Sequence, residues 1–218
     1  MSEKTASAAA DTFPRLLLEH ASVRGGAPAL REKYLGIWQT WTWSETASEV
    51  RAMAMGLHSL GFKRGDNLAI IGDNRPRLYM AFAAAQCLGG VAVPMYQDAV
   101  AAEMTFVLEN ANIQFAIVED QEQVDKLLEA RDTLPQIAHI IYEDPRGLRT
   151  YDAPGLTSLE ALRELGAAYD KANPGLFDRE VAAGRAADVS VMLYTSGTTG
   201  KPKGVCQSHE AFITAARG

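Results

Sequence analysis

Cysteine is scarce in this sequence, in which Cys87 and Cys206 are the only two among 218 residues. They lie far apart and neither belongs to a C-x-x-C pair, so their spacing supports neither a zinc site nor a dithiol redox site. So few thiols favour a reducing compartment. Cys87 lies in an apolar run and is expected to be a small core residue. Cys206 has no obvious base beside it, and we predict no nucleophile there.

Basic residues are also few, because 21 Lys and Arg face 27 Asp and Glu and leave a formal net charge of −6. No basic patch stands out from this acidic background, which argues against a nucleic-acid partner. The hydrophobic fraction of 47% and the charged fraction of 22% are ordinary for a globular protein that buries one or two cores.

A long unbroken apolar run is missing as well. Residues 1–11 are rich in Ala and Ser and lack the apolar centre of a signal peptide. The longest uncharged stretch, 78–97, has the length of a membrane span. Gln86, Gly89-Gly90 and Pro94 interrupt it, and it divides into a helix, a turn and a strand. We therefore predict a buried α/β unit and a cytoplasmic protein, with peripheral membrane contact left open.

Strands and helices alternate through the middle of the chain. Four apolar runs centred near residues 69, 93, 116 and 140 recur about every 24 residues, the period of βα units. Between them lie segments with apolar residues on one helical face. The pattern predicts an α/β fold with a mostly parallel sheet, right-handed crossovers and helices on both faces. The predicted strands are 67–71, 91–95, 113–118 and 137–142, and the predicted helices are 78–88, 101–111 and 122–131.

The N-terminal part is predicted to lack the alternation of strand and helix that the middle of the chain shows. Residues 13–23 form a helix with Thr12 as N-cap. Residues 29–43 alternate loosely, hold all three tryptophans and predict a small β-hairpin with its turn near Leu35-Gly36. We expect the tryptophans to cover a small sheet rather than to form a stacking surface. A helix over 45–60 follows, with Thr42 and Glu45 at capping-box spacing.

The C-terminal part is predicted from turn and cap signals. Residues 143–155 read as a surface loop, and 156–171 as a helix with Thr157 and Glu160 at capping-box spacing. A turn and a short helix with linker follow, up to residue 187. We place a subdomain boundary there, with one α/β subdomain over 1–187 and the start of the next over 188–218.

The segment 194–204 holds three glycines, four Ser or Thr hydroxyls and two lysines. An apolar run, 189–194, precedes it and a helical pattern, 210–216, follows it. Strand, glycine-rich turn and helix form a setting in which backbone N–H groups converge on phosphate. The glycine spacing fits neither the Walker A loop nor the dinucleotide-binding G-x-G-x-x-G.

Met192 to Lys203 resembles, position by position, the signature loop of the AMP-forming adenylate synthetases. Weaker similarity at 72–76, 89–96 and 108–111 resembles the long-chain fatty acyl-CoA synthetase branch. The resemblance implies that ATP, Mg²⁺ and coenzyme A take part in activating a carboxylic acid, with a fatty acid favoured. It also implies that this chain is the N-terminal part of a longer enzyme, with the catalytic residues beyond Gly218, so that the chain alone is inactive.

Specific roles follow from the same resemblance. It implies that the β- and γ-phosphates of ATP are held by the run Thr195, Ser196, Gly197, Thr198, Thr199, Gly200 and Lys201. Thr195 would be the residue nearest Mg²⁺. For Lys201 and Lys203, a solvated position and a direct contact stay equally open. For His209, a capping or core role is favoured over catalysis.

Two alternatives remain from the sequence. One is an adenylating enzyme for an aryl or amino acid, which residues downstream of Gly218 would distinguish. The other is a non-catalytic module that keeps the fold without the chemistry, favoured only if the gene product ends at Gly218.

Overall fold

The computed structural model describes residues 11–99, 101–195 and 202–217. Within these residues the chain forms eight helices, a two-stranded sheet and a seven-stranded sheet. The order of the larger sheet, given by strand number along the chain, is 7-6-5-3-4-8-9. Its first six strands are parallel, and only the last pair is antiparallel. The predicted α/β fold with a mostly parallel sheet is confirmed.

The N-terminal elements follow their sequence signals. Helix α1 (Phe13–Arg24) begins after Thr12, whose hydroxyl accepts from the backbone N–H of Arg15 at 3.4 Å. Strands β1 (Pro28–Tyr34) and β2 (Ile37–Thr42) form the predicted hairpin, and helix α2 (Trp43–Ser59) follows with a complete capping box between Thr42 and Glu45. Trp41 and Trp43 pack against the core, as expected, whereas Trp38 is 57% exposed.

The four predicted strands form the centre of the larger sheet. Strand β3 pairs on one side with β4 and on the other with β5, which in turn pairs with β6. The helices between them agree with the predicted segments to within two residues at each end. The bounds are β3 (Asn67–Ile71), α3 (Pro76–Cys87), β4 (Val91–Met95), α4 (Ala101–Asn110), β5 (Phe115–Val118), α5 (Gln121–Arg131) and β6 (His139–Tyr142).

Alternate residues of the strands bury two separate cores, as expected for a sheet covered on both faces. Leu68 and Ile70 of β3 face one core, which α1, α2 and α3 cover. Ala69 and Ile71 face the other, which α4 and α5 cover. Helices on both faces are thus confirmed. Cys87 is fully buried in the first core, and burial raises the pKa of its thiol.

The structure differs from the predicted helix over residues 156–171. Leu156–Ser158 is a short strand, β7, parallel to β6, and helix α6 (Leu159–Ala172) begins only after it. Ser158 caps the helix by accepting from the backbone N–H of Ala161, so the predicted capping role of Thr157 was wrong. The outer edge of β6 offers unpaired backbone groups, and pairing Leu156 with Ile140 satisfies them.

The structure also differs from the prediction that a helix directly follows the glycine-rich loop. Helix α7 (Leu176–Ala183) leads to β8 (Val189–Thr195), a strand as the apolar run predicted, and β8 pairs with β4. Lys203–Ser208 then forms β9, antiparallel to β8, before helix α8 (His209–Arg217). The loop therefore joins two strands of a hairpin, not a strand and a helix. The free edge of β8 takes up β9, which local sequence periodicity does not reveal.

Strands β8 and β9 extend the same sheet as β3 to β7, and the division between residues 1–187 and 188–218 stays a prediction. Among the helices in the described part of the chain, none combines the length and the apolarity needed to cross a membrane.

Candidate functional site

A crevice opens at the carboxyl ends of the parallel strands β3, β4 and β8. The chain leaves β3 toward α3 on one face and leaves β4 toward α4 on the other. Where neighbouring strands send their connections to opposite faces, open α/β sheets leave room for a ligand. A cavity of about 580 Å³ occupies this place, between the segments that follow β3 and β4 and the last residues of β8.

Thr195 is the last residue of β8, is exposed and lines the mouth of this cavity. Lys203, the first residue of β9, lies directly opposite it and is exposed as well. The two ends of the glycine-rich loop are thereby held together at the cavity. The other predicted phosphate-binding residues, Ser196, Gly197, Thr198, Thr199, Gly200 and Lys201, lie outside the described residues.

Tyr194 fixes the end of β8 beside the cavity. Its hydroxyl donates to the side-chain oxygen of Asn110 at the end of α4, with 2.6 Å between the oxygens. Burial raises the pKa of this phenol. The contact holds the strand from which the loop emerges against the helix that follows β4.

Hydrogen bonds also order the turn after β3. The side-chain amide of Gln97 donates to Asp73 at 3.0 Å, and the backbone N–H of Asp73 donates to Glu119 at 2.6 Å. Gly72 has φ +152°, and a side chain there would meet the Cβ of Glu119 at 2.6 Å. Glycine therefore permits the close approach of this turn to the end of β5.

The lining of the cavity is apolar and aromatic with an acidic edge. Tyr79, Phe82 and Tyr96 supply aromatic surface, Asp73 and Asp98 supply carboxylates, and the described lining contains no Lys or Arg. Two carboxylates in a lining without Lys or Arg disfavour the binding of a polyphosphate there. The described lining therefore suits an uncharged part of a ligand better than a polyphosphate.

Sequence analysis missed these aromatic residues, because motif spacing pointed only to the loop. Their signal was positional, since Tyr96 directly follows β4, and Tyr79 and Phe82 lie in α3, the helix that follows β3. That position is where open α/β sheets bind ligands.

The described residues do not form a magnesium site by themselves. Thr195 offers one hydroxyl, and no group of three His, Cys, Asp or Glu side chains in the described part of the chain is arranged to hold a metal ion. Mg²⁺ usually takes one or two carboxylates in addition to phosphate oxygens and water. The predicted metal contact of Thr195 thus stays a prediction.

His209 has a core role, as favoured from the sequence. It is 2% exposed, and its Nδ1 accepts from the backbone N–H of Phe13 at 3.3 Å. Burial lowers the pKa of its imidazole. The residue therefore joins the start of α8 to the start of α1, away from the cavity lining. Cys206, by contrast, is exposed on β9.

Comparison with known proteins gives a consistent result. The family model described as AMP-binding enzyme matches residues 17–218. The long-chain-fatty-acid–CoA ligase ACSBG2 of Rattus norvegicus is 32% identical over 205 residues, covering 94% of this chain and 30% of that protein. The long-chain-fatty-acid–CoA ligase FadD15 of Mycobacterium tuberculosis is 31% identical over 172 residues, covering 79% of this chain and 27% of that protein. The chain thus spans less than a third of these relatives.

Solved structures share the fold at lower identity. The anthranilate CoA ligase AuaEII in complex with anthranoyl-AMP superposes with a TM-score of 0.78 at 21% identity, over 94% of this chain and 36% of that one. Acetoacetyl-CoA synthetase from Streptomyces lividans superposes with a TM-score of 0.74 at 22% identity, over 94% and 31%. At these identities the likeness shows the fold alone.

Proposed function

Because this chain belongs to the AMP-binding enzyme family, we propose that it is part of an ATP-dependent, AMP-forming acid–CoA ligase. In the proposed reaction a carboxylate attacks the α-phosphate of ATP, which gives an acyl-adenylate and pyrophosphate. The thiol of coenzyme A then attacks the acyl carbon and releases AMP. A long-chain fatty acid is the proposed substrate, supported by the named activity of the relatives that are about 30% identical.

One observation carries this proposal: Thr195 and Lys203, at the two ends of the loop, are paired directly, and Thr195 lines the cavity. A hairpin loop with both ends fixed can present its hydroxyls and backbone N–H groups to one anion. We assign the β- and γ-phosphates of ATP to residues 195–201, as the resemblance implied. Lys203 adds positive charge at the base of the loop, whereas the described lining of the cavity contains no Lys or Arg.

The proposed electrostatics follow from the charges that must meet. A carboxylate and a triphosphate repel each other, and donors already aimed at the phosphates lower the free energy of the transition state. The cavity itself takes an uncharged part of a substrate, because its described lining is aromatic and acidic. Mg²⁺ would neutralise phosphate charge, but we assign it no described site.

We further propose that segments outside this chain complete the enzyme and hold its catalytic residues. The share of the relatives that this chain covers supports this. A cytoplasmic location belongs to the same proposal and is supported by the small number of thiols.

ATP–pyrophosphate exchange on the full-length protein tests the function. The acids offered are long-chain fatty acids, aryl acids and amino acids, each with ATP and Mg²⁺. Exchange with the fatty acids, followed by thioester formation with coenzyme A, is the expected result. Exchange only with aryl or amino acids would show that the enzyme adenylates one of those acids instead. A lack of exchange with any acid would favour the non-catalytic module.

A further inference from the structure

The tip of the β1–β2 hairpin exposes four large side chains together. We define the hairpin tip as Tyr34, Leu35, Ile37 and Trp38, around Gly36. Their exposed fractions are 42% for Tyr34, 83% for Leu35, 66% for Ile37 and 57% for Trp38. Single exposed apolar residues need no explanation, but a contiguous apolar projection does.

Leu35 is an unfavourable choice for its backbone conformation. It has φ +48° and Gly36 has φ +82°, the signs of a type I′ hairpin turn. That turn favours Asn, Asp or Gly at its first central position, because a branched side chain is strained at positive φ. At 83% exposure, the leucine gains little packing within the described residues in return. A strained, exposed apolar residue is typical of a functional surface.

Two basic side chains flank the tip on the outer face of the hairpin. Lys33 lies directly opposite Trp38, and the guanidinium of Arg31 lies 4.8 Å from the centre of the Trp38 ring. Both basic residues are exposed. Glu32 points to the other face, where its carboxylate lies 3.5 Å from Arg75. The outer face therefore combines the Trp38 ring with positive charge, although the whole chain is acidic. Tyr34 and Ile37 oppose each other on the other face of the hairpin, where they extend the apolar surface of the tip.

We propose that the hairpin tip is a contact surface for anionic lipid bilayers. Trp and Tyr favour the boundary between headgroups and acyl chains, and Leu and Ile favour the acyl side of it. Arg31 and Lys33 meet the phosphates of anionic headgroups. A convex tip can insert into a lipid bilayer, which deforms around it, whereas binding to a protein would require a groove of matching shape.

This surface is independent of the chemistry of the proposed function and is tested without any turnover. It extends that function all the same, because a long-chain fatty acid partitions into bilayers. An enzyme held at the bilayer surface meets such a substrate where its concentration is highest.

Vesicle co-sedimentation tests the tip directly. The full chain is mixed with vesicles of phosphatidylcholine and phosphatidylglycerol, or of phosphatidylcholine alone. The tip variant L35N/I37T/W38T should lose at least about ten-fold in affinity for the mixed vesicles, because its apolar side chains no longer enter the bilayer. The charge variant R31Q/K33Q should lose roughly 30-fold on mixed vesicles and little on phosphatidylcholine alone.

Leu35→Asn alone separates a surface role from a folding role. Asn-Gly is the preferred type I′ turn, so this variant should unfold at the same or a higher temperature while binding vesicles less tightly. Val23→Asn is the matched control, since Val23 is 78% exposed on α1 outside the hairpin, and it should leave vesicle binding unchanged.

Three outcomes would overturn the proposal. The unchanged protein could fail to bind mixed vesicles, or the tip variant could bind them as tightly as the unchanged protein does. Tip-dependent self-association without vesicle binding would assign the surface to a second copy of the chain. None of these outcomes depends on adenylate formation, so failure here and failure of the proposed function are distinguishable.

Discussion

Thr195 and Lys203 lie directly opposite each other across the antiparallel pair β8–β9, one at each end of the glycine-rich loop. Directly opposed residues of such a pair place their side chains on the same face. A hydroxyl side chain and an ammonium side chain thus project from the same face at the base of the loop. This relationship makes the base of the loop the first place to test the proposed phosphate contact.

Thr195→Val keeps the shape of the side chain and removes its hydroxyl. We expect a loss of about 10²-fold in ATP–pyrophosphate exchange if the hydroxyl contacts phosphate, because one aligned donor in an active site has this effect. The free energy of unfolding should change by less than about 0.5 kcal/mol, since the residue is exposed. Thr40→Val, an exposed strand threonine far from the loop in sequence, is the control and should keep full exchange.

Gly200→Val tests the loop itself. A β-branched side chain where the backbone must approach phosphate should lower adenylate formation by about 10²–10³-fold. The melting temperature without nucleotide should change little. Exchange and thermal unfolding are measured on the same variant. Exchange that survives within a few-fold would show that the loop does not clamp phosphate, and a parallel fall of both quantities would make this glycine structural.

Gly166→Ala tests the crossing of α2 and α6. A side chain at Gly166 would meet the carbonyl oxygen of Ala52 at 1.9 Å and the backbone nitrogen of Gly56 at 2.6 Å. The helices must move apart, so we expect a loss of about 1–3 kcal/mol in urea unfolding despite the better helix propensity of alanine. Gly26→Ala is the control, because no atom lies within 4 Å of its added carbon. Equal stabilities of the two variants would contradict the close crossing.

Glu143 should make stability depend on pH. Burial raises the pKa of its carboxyl from 4.5 to about 7, and one carboxylate oxygen has no hydrogen-bond partner in the described structure. Arg77 opposes the rise, and the acidic residues Glu32 and Glu119 add to it. The folded protein therefore holds this proton more tightly than the unfolded chain does.

The sign follows from that difference in proton binding. Below pH 4.5 the group is protonated in both states, so it carries no penalty; as the pH rises to 7, the folded protein loses stability. Allowing for partial exposure, the loss is about 2 kcal/mol. Glu143→Gln should remove it, so its stability relative to the unchanged protein should increase between pH 5 and pH 8 in urea unfolding. A constant difference across this range would refute the assignment.

Local signals in the sequence were sufficient for the starts of α1 and α2 and for the central strands. Thr12 and Thr42 accept the N-terminal N–H groups of their helices, as their positions predicted. Each cap acts within three residues, so the information is contained in the segment itself. The alternation of strand and helix likewise predicted that β3, β4, β5 and β6 are parallel, because a helix between two strands returns the chain to the edge of the sheet where the first strand began.

The outer strands depended on tertiary structure. Leu156–Ser158 and Lys203–Ser208 became strands because β6 and β8 presented free edges to them. A three-residue segment carries too little periodicity to compete with the helical pattern that follows it. The cavity beside Thr195 likewise exists only once three strands far apart in sequence end at one edge of the sheet.

The hairpin shows the division between the two levels most directly. Alternation along β2 places Trp38 and Trp41 on opposite faces, which the sequence alone determines. It does not determine which face is covered. Docking of the hairpin against the first core packs Trp41 against buried residues and leaves Trp38 exposed beside Arg31, because burial depends on what other segments bring to each face.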